Sequence, residues 1–306
     1  MHPAHRIVMA LPLSLLLLAG CGKSGSMMAP QTAASSDPST ATEEVARHPE
    51  LVDDGMYASD TQAPAGFATG PGGTFAAIRP LFFWRHITRI ERSFEFAFSD
   101  TDSAGAPTSA VIIVHKRLSG TFNVVARDSG GDGSPTQGHV IEKPLHDHWV
   151  RRLLLKRVAG SGDHRPWRIA ATSGVQVTSR DARTRIQSLR VQSAGLDTTI
   201  TDPLAFFRLR RLLRLEVGVD VALTATTLAA DDVVLFYVGD RRLRFQNQGH
   251  GSYSLTWRSF ATDGVRHFGV NALSHGSLFD DQAPYDSQAW LLPYVAGAPE
   301  LADLAP

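Results

Sequence analysis

The run SFEFAFS, residues 93–99, sets an aromatic ring at Phe94, Phe96 and Phe98 and places Ser93, Glu95 and Ala97 between them. Successive side chains of extended backbone point to opposite sides, so a period of two predicts a strand with one face buried. Further β-rich runs follow: SAVIIVH (109–115), GTFNVVAR (120–127), HWVRRLLLKRV (148–158), WRIAATSGVQV (167–177) and RIQSLRVQ (185–192). Loops such as SDTDSAGAPT (99–108) and DSGGDGSPTQG (128–138) separate them and carry the Gly, Pro, Asp and Ser that turns require. On the N-terminal side, AAIRPLFFWRHITRI (76–90) is the best helical candidate, with Pro80 limiting where the helix begins.

Alternation is cleaner in the last third. In VDVALTATT (219–227), Val219, Val221, Leu223 and Ala225 share one face and Asp220, Ala222, Thr224 and Thr226 the other. DVVLFYV (232–238) meets RLRFQ (242–246) across Gly239-Asp240-Arg241, a tight hairpin turn. YSLTWRS (253–259) sets Tyr253, Leu255 and Trp257 on one side, and Asp263-Gly264 turns into VRHFGVNAL (265–273). Short strands at this spacing predict an antiparallel sandwich. Before them, ITDPLAFFRLRRLLRLEVG (200–218) predicts a short helix with Asp202 as N-cap and Pro203 at its first position.

Helical segments followed by a meander of long strands, closing on RRLLLKRVAGSGDHRPWRIAATSGV (151–175), resemble the NTF2-like (SnoaL-like) fold. GHGSYSLTWRSFATDGVRHFGVNALSHGSL (249–278) resembles the cysteine-free members of the bacterial Ig-like domains. The resulting expectation is an α+β module followed by an all-β Ig-like sandwich, β-rich overall. It divides the chain into a lipoprotein signal peptide (1–20), a lipidated cysteine and flexible tether (21–74), the α+β NTF2-like domain (75–182), the Ig-like sandwich (183–295) and a C-terminal tail (296–306).

The signal and tether rest on LPLSLLLLAGCGKSGS (11–26), where the only cysteine of 306 residues stands at the end of the leucines. Arg6 and the α-amino group supply a positive start, and the apolar stretch from Ile7 to Ala19 is of signal-peptide length, short of the roughly 20 residues a spanning helix needs. Leu18-Ala19-Gly20-Cys21 resembles the lipobox of bacterial lipoproteins. That resemblance implies cleavage before Cys21 and acylation of Cys21. Several chains anchor stably, because each buried CH₂ contributes about 0.8 kcal/mol. Gly22, where the enteric sorting pattern would have Asp for inner-membrane retention, points to the outer membrane. From Gly22 to about Thr42 the Ser, Ala, Thr, Pro and Gly content forms a spacer with a reach on the order of 25 Å. Thr40 with Glu43 then caps a short helix running to Pro49.

A lone cysteine permits no internal disulfide, so the fold relies on its core. The 30 basic residues balance 30 acidic ones, which argues against a nucleic-acid partner.

The tightest cluster of reactive side chains is His146-Asp147-His148 in EKPLHDHWV (142–150). Residues two apart on a strand share a face, so both imidazoles project together toward a metal completed from elsewhere. Beside Pro144, the simpler reading is a solvated pair. DTDSAG at Asp100 and Asp102 begins like a calcium loop, but Ala104 and Val111 occupy ligand positions, so no EF-hand is present. GHGSY (249–253) and SHGSL (274–278) do not match G-x-S-x-G, and the His250/Ser252 and His275/Ser277 pairs read as turn chemistry. Arg208, Arg210, Arg211 and Arg214 either meet anionic headgroups or stay in water while Leu209, Leu212, Leu213 and Leu215 pack, and packing is the simpler account.

These readings converge on a lipid-anchored extracytoplasmic envelope protein with a non-enzymatic binding or scaffold role. Cys21 is the lipidation site, no catalytic residue, metal or cofactor is assigned, and the partners are the membrane and an envelope protein or glycan. The alternative is a small-molecule carrier or cofactor-free enzyme using the cavity that the NTF2-like resemblance implies.

Overall fold

The computed structural model describes residues 37–52, 57, 60, 63–64, 78–103, 105–128, 138–158, 167–209, 212–239, 241–260 and 262–297. Two helices come first, α1 (Asp37–Arg47) and α2 (Pro49–Val52). Strand β1 (Ala63–Pro64) precedes four long strands, β2 (Ile78–Thr101), β3 (Pro107–Asp128), β4 (His139–Arg157) and β5 (Trp167–Ser179). Shorter strands follow: β6 (Ile186–Ser193), β7 (Leu196–Ile200), β8 (Phe206–Arg208), β9 (Leu213–Leu215), β10 (Asp220–Thr227) and β11 (Val233–Val238). The chain continues through β12 (Arg241–Arg244), β13 (Gln246–Gly249), β14 (Ser252–Arg258), β15 (Gly264–Leu273), α3 (His275–Phe279) and β16 (Ser287–Ala296).

An eleven-stranded sheet runs β1-β2-β3-β4-β5-β16-β15-β11-β12, with β8 on β5 and β9 on β16; a five-stranded sheet runs β13-β14-β10-β6-β7. All the pairings are antiparallel except β9 with β16.

This corrects the expectation of an α+β module followed by an Ig-like sandwich. Among the described residues the first part shows no α+β NTF2-like module; those residues are strand almost throughout, and only the β-rich character survives. The stretch 76–90, expected as a helix, lies within β2 from Ile78 onward. Its β-branched and aromatic residues, Ile78, Phe82, Phe83, Trp84, Ile87, Thr88 and Ile90, favour a pleated surface, and tertiary pairing with β3 decides the matter. Pro80 is accommodated at a register shift between Pro80 and Phe82. The helix expected from Pro203 does not form either. Asp202 Oδ1 accepts the Leu204 N–H at 2.8 Å, and the Asp202 carbonyl accepts the Ala205 N–H at 3.3 Å. The capping chemistry is present but closes a turn, after which Phe206–Arg208 joins β5. α1 also starts earlier than Thr40, at Asp37.

Other readings hold. The Phe94, Phe96 and Phe98 rings are half-buried and stand 6.3 and 6.1 Å apart in sequence order, with Phe98 6.0 Å from Trp167. Val238 pairs with Arg241 in the β11–β12 hairpin, where Gly239 takes φ 57°. Val221, Leu223, Ala225, Tyr253 and Trp257 face inward. Leu209, Leu212, Leu213 and Leu215 are buried, while Arg208 and Arg214 are exposed; Arg210 and Arg211 lie outside the described residues.

Strands β11 and β16 are buried on both faces, as is β15 from Phe268 onward. One face packs on the five-stranded sheet: Phe236, Phe268 and Tyr294 meet Val191, Leu223 and Trp257. The other face meets the far end of its own sheet, because Leu235, Tyr237 and Leu273 cluster with Phe83, Phe122, Val124 and Leu145 of β2–β4. The large sheet therefore curls on itself. α1 and α2 fill the inner face beside this closure, setting Ala41, Val45, Leu51 and Val52 against Ile112, Val114, Leu153, Leu155, Val175 and Val177. The curl is fixed in register near Gly120, where a Cβ would fall 1.9 Å from the His86 carbonyl oxygen beside the β2 register shift at Ile87/Arg89.

Candidate functional site

Along β4 the odd-numbered positions Lys143, Leu145, Asp147, Trp149, Arg151, Leu153 and Leu155 are buried against the inside of the curl. Asp147 is thereby carried inward between two outward histidines. Its Oδ2 accepts hydrogen bonds from Tyr57 Oη at 2.9 Å and from Tyr285 Oη at 3.2 Å, and the two hydroxyls are 3.2 Å apart. Tyr57 follows α2, and Tyr285 lies between α3 and β16, so one carboxylate joins three distant parts of the chain.

Arg85, on β2, extends the network. Its guanidinium donates to Asp60 from Nε at 2.7 Å and from Nη2 at 3.1 Å, and Nη2 also donates to Tyr237 Oη at 3.3 Å. The cation lies 3.9 Å from the Tyr57 ring centroid, and Arg242 Nη2 reaches Asp60 Oδ2 at 3.0 Å. Tyr237 Oη donates to Asn271 Oδ1 at 3.4 Å, and Asn271 Nδ2 donates to Ser287 Oγ at 2.6 Å. Two carboxylates and two guanidiniums thus sit together, formally balanced, among three tyrosines. Tyr57, Arg85, Asp147, Tyr237 and Tyr285 are each less than a tenth exposed.

Burial dominates the electrostatics. Desolvation pushes the Asp147 carboxyl up to about 6, against the pull of Arg85 and the two tyrosine hydroxyls. The Tyr57, Tyr237 and Tyr285 hydroxyls are raised by the same cause, so they act as neutral donors. Asp147 Oδ1, Arg85 Nη1 and Arg242 Nη1 are buried without a hydrogen-bond partner in the protein. Chemically, Asp147 is a carboxyl able to hold or release a proton a little below neutrality, enclosed by donors.

Two neighbouring groups are structural. Lys143 Nζ donates to the carbonyls of Gly276 and Asp280 at 3.0 and 2.6 Å, fastening α3 to β4, and burial lowers its pKa to about 8. Arg151 Nη1 donates to the Leu51 carbonyl and holds the end of α2.

His146 and His148 lie on the outer face of β4 and are exposed. The structure brings His148 to His115 of β3, with His115 Nδ1 and His148 Nε2 3.0 Å apart, and not to a ligand set built on His146. Burial, then His115 and Arg117, lower the His148 pKa. Among the described residues no group of three or more His, Cys, Asp or Glu is placed to hold a metal ion. His250 occupies a turn at φ 53°, and His275 stacks on Phe279 at 4.4 Å. Ser277 Oγ is engaged by the Asp286 N–H and by Ser274 Oγ, which is capping chemistry. Asp102 Oδ1 accepts the Ala106 N–H at 2.9 Å within its turn. Cys21 lies outside the described residues, and among those described no helix is long and apolar enough to cross a membrane.

The sequence reading missed Tyr57, Asp60, Arg85, Tyr237, Arg242 and Tyr285, and it took Asp147 only as the middle of the His146-Asp147-His148 cluster, without its inward role. For Asp147 a signal existed: Leu145, Trp149, Leu153 and Leu155 alternate with it, and that period already assigns position 147 to the apolar face. For the partners there was none, since they come from segments 25 to 228 residues apart in the chain.

Comparison with protein-family models, with curated proteins and with solved structures finds no match to this chain.

Proposed function

We propose that the protein is a lipid-tethered binding or scaffold component of the cell envelope, attached through Cys21 at the outer membrane and running no reaction of its own. The observation that carries this reading is the enclosure of its densest ionisable cluster. Arg85 and Asp147 are 2% and 3% exposed and tie Tyr57, Asp60, Tyr237 and Tyr285 to β2 and β4. That is the work of a clamp. By contrast, the outer face of β2–β4 exposes an apolar row in which Phe82 pairs with Val125 and Val125 with Val140, the first and last being 41% and 53% exposed. Exposed aromatic and aliphatic residues in a row suit contact with another macromolecule.

The test is mass spectrometry of the cellular product together with pull-down from solubilised membranes by a C-terminal tag. The reading expects an acylated Cys21 as first residue, a soluble Cys21→Ala variant, and loss of the co-purified partner in Phe82→Arg. An unmodified thiol with an intact initiator methionine contradicts the tether, and partner recovery unchanged by Phe82→Arg contradicts the contact face.

One observation favours the other class, a small-molecule carrier or cofactor-free enzyme. Asp147 Oδ1 and Arg85 Nη1 are orphaned in the same cluster, as a small polar guest would leave them when absent. A guest bonded there would raise thermal stability in the wild type and not in Asp147→Asn.

A further inference from the structure

The outer face of the curled sheet carries a second cluster, unconnected with the clamp. His115 on β3 and His148 on β4 are diagonal neighbours, since Arg117 is the residue directly opposite His148 and Val150 the one opposite His115. Their rings lie within 9° of parallel with centroids 5.1 Å apart, and Nδ1 of His115 is 3.0 Å from Nε2 of His148. With N···N so short and the centroids so far apart, the rings meet edge to edge. On the far side of His115, Glu95 of β2 brings Oε1 to 3.3 Å from Nε2.

This spacing has a specific consequence. Two imidazole nitrogens bound to one zinc at its usual bond lengths stand roughly 2.9 to 3.4 Å apart, depending on the angle at the metal. The observed separation falls in that range, so chelation needs ring rotation and no movement of the strands. A ligating histidine is normally oriented by a carboxylate on its other ring nitrogen, and the carboxylate nearest that nitrogen of His115 is Glu95, 3.3 Å away but out of line for a hydrogen bond, so that Nε2 is left without a partner in the protein. With the proton on Nε2, the side nearer Glu95, the lone pair of His115 Nδ1 faces His148. Water reaches the pair from the His148 side: His148 is exposed, whereas the His115 side chain is 19% exposed.

We infer that His115 and His148 form a two-histidine surface site for a borderline divalent transition metal such as Zn²⁺, with Glu95 positioning the His115 ring. His146 shares the face of His148 but is no part of the site, because its cross-strand partner is Ser119, two residues farther along β3 from His115 than Arg117, the partner of His148. Arg117 opposes the ion electrostatically, being the cross-strand partner of His148. The site is therefore weaker than a closed structural centre and selective for metals that favour imidazole over oxygen ligands, excluding Ca²⁺ and Mg²⁺.

The test is calorimetric titration of the tag-free full chain, carrying Cys21→Ala so that no thiol competes, with Zn²⁺ alone and with Mg²⁺ as control. The expected result is one Zn²⁺ per chain, no heat with Mg²⁺, and no one-to-one binding in His115→Ala or in His148→Ala. Glu95→Gln weakens binding by about 10-fold, the lower end of what loss of an orienting carboxylate costs. Arg117→Ala tightens it, and His146→Ala leaves it unchanged. All five positions lie on the outer face, and far-UV circular dichroism confirms that each variant is folded. Absence of Zn²⁺ binding in the parent chain overturns the assignment. So does binding that survives His115→Ala and His148→Ala, or that His146→Ala weakens as much as His148→Ala.

Discussion

Strands β11, β15 and β16 carry two cores, one on each face, and the two are built on different physics. Toward the five-stranded sheet, Phe236, Trp257, Phe268 and Tyr294 pack with ring centroids 5.1 to 6.1 Å apart, and the surrounding buried residues are aliphatic or aromatic. Toward the inside of the curl, apolar side chains share the space with Asp60, Arg85, Asp147 and Arg242. The first core is stabilised by area removed from water and tolerates no loss of volume. The second depends on pairing, because a buried charge deprived of its partner costs more than the pair contributes.

The largest effects come from breaking each core in its own way. Trp257→Ala is expected to destabilise by ~3–5 kcal/mol through cavity formation. Arg85→Met, which conserves most of the volume, is expected to cost a similar ~3–5 kcal/mol by leaving Asp60 underpaired. Urea denaturation of both variants checks this; a volume-conserving change that costs little at position 85 would erase the distinction between the cores.

Next in size is a pH effect. Asp147 has its folded pKa raised to about 6 from 3.8, so it contributes stability that is fully present below about 3.8 and lost as pH rises through about 6. Asp147→Asn removes that dependence. Relative to the wild type it should gain up to about 3 kcal/mol between pH 4 and pH 7, as two pKa units and a little more imply. The difference between the two proteins is the quantity to read. Asp232, also raised to about 6, adds a parallel slope in both, and His267, lowered to about 3 by burial and then Arg151, adds an opposite one. A pH-independent difference would show that Asp147 is solvated.

Smaller effects sharpen the comparison. Tyr57→Phe removes one of the two hydroxyls on Asp147 Oδ2 and should cost about 1–3 kcal/mol, because the acceptor stays buried. His146→Ala, on the outer face of the same strand, should change stability by less than about 0.5 kcal/mol. Melting both variants in parallel reads the two faces of β4 against each other.

The same division decides how much was legible in the sequence. The five-stranded sheet and its core obey a period of two with each residue explaining its neighbours, so Val221, Leu223, Ala225, Tyr253 and Trp257 were placed correctly from spacing alone. The aromatic ladder at Phe94, Phe96 and Phe98 was equally plain. Stretch 76–90 misled because its side chains serve both states, and only the partner strand β3 selects extension. Asp202 misled for a related reason: a carboxylate accepting from the second residue onward closes a turn as readily as it caps a helix. The clamp was hidden because charged residues read as surface until a curled sheet brings Arg85 to Asp60, Tyr237 and Arg242. Likewise HDH drew attention to His146 and His148, while the diagonal neighbour His115, 33 residues away, became visible only with the β3–β4 register.

The claim that a paired-charge clamp pins Asp60 to the curled sheet is tested most directly by a double-mutant cycle on Asp60 and Arg85, read by urea denaturation at pH 7 with Asp60→Asn, Arg85→Met and both together. A clamp predicts a coupling energy of at least about 2 kcal/mol, since the second change has little left to break. Additivity within about 0.5 kcal/mol would mean that the two side chains stabilise the fold independently, and would contradict the account.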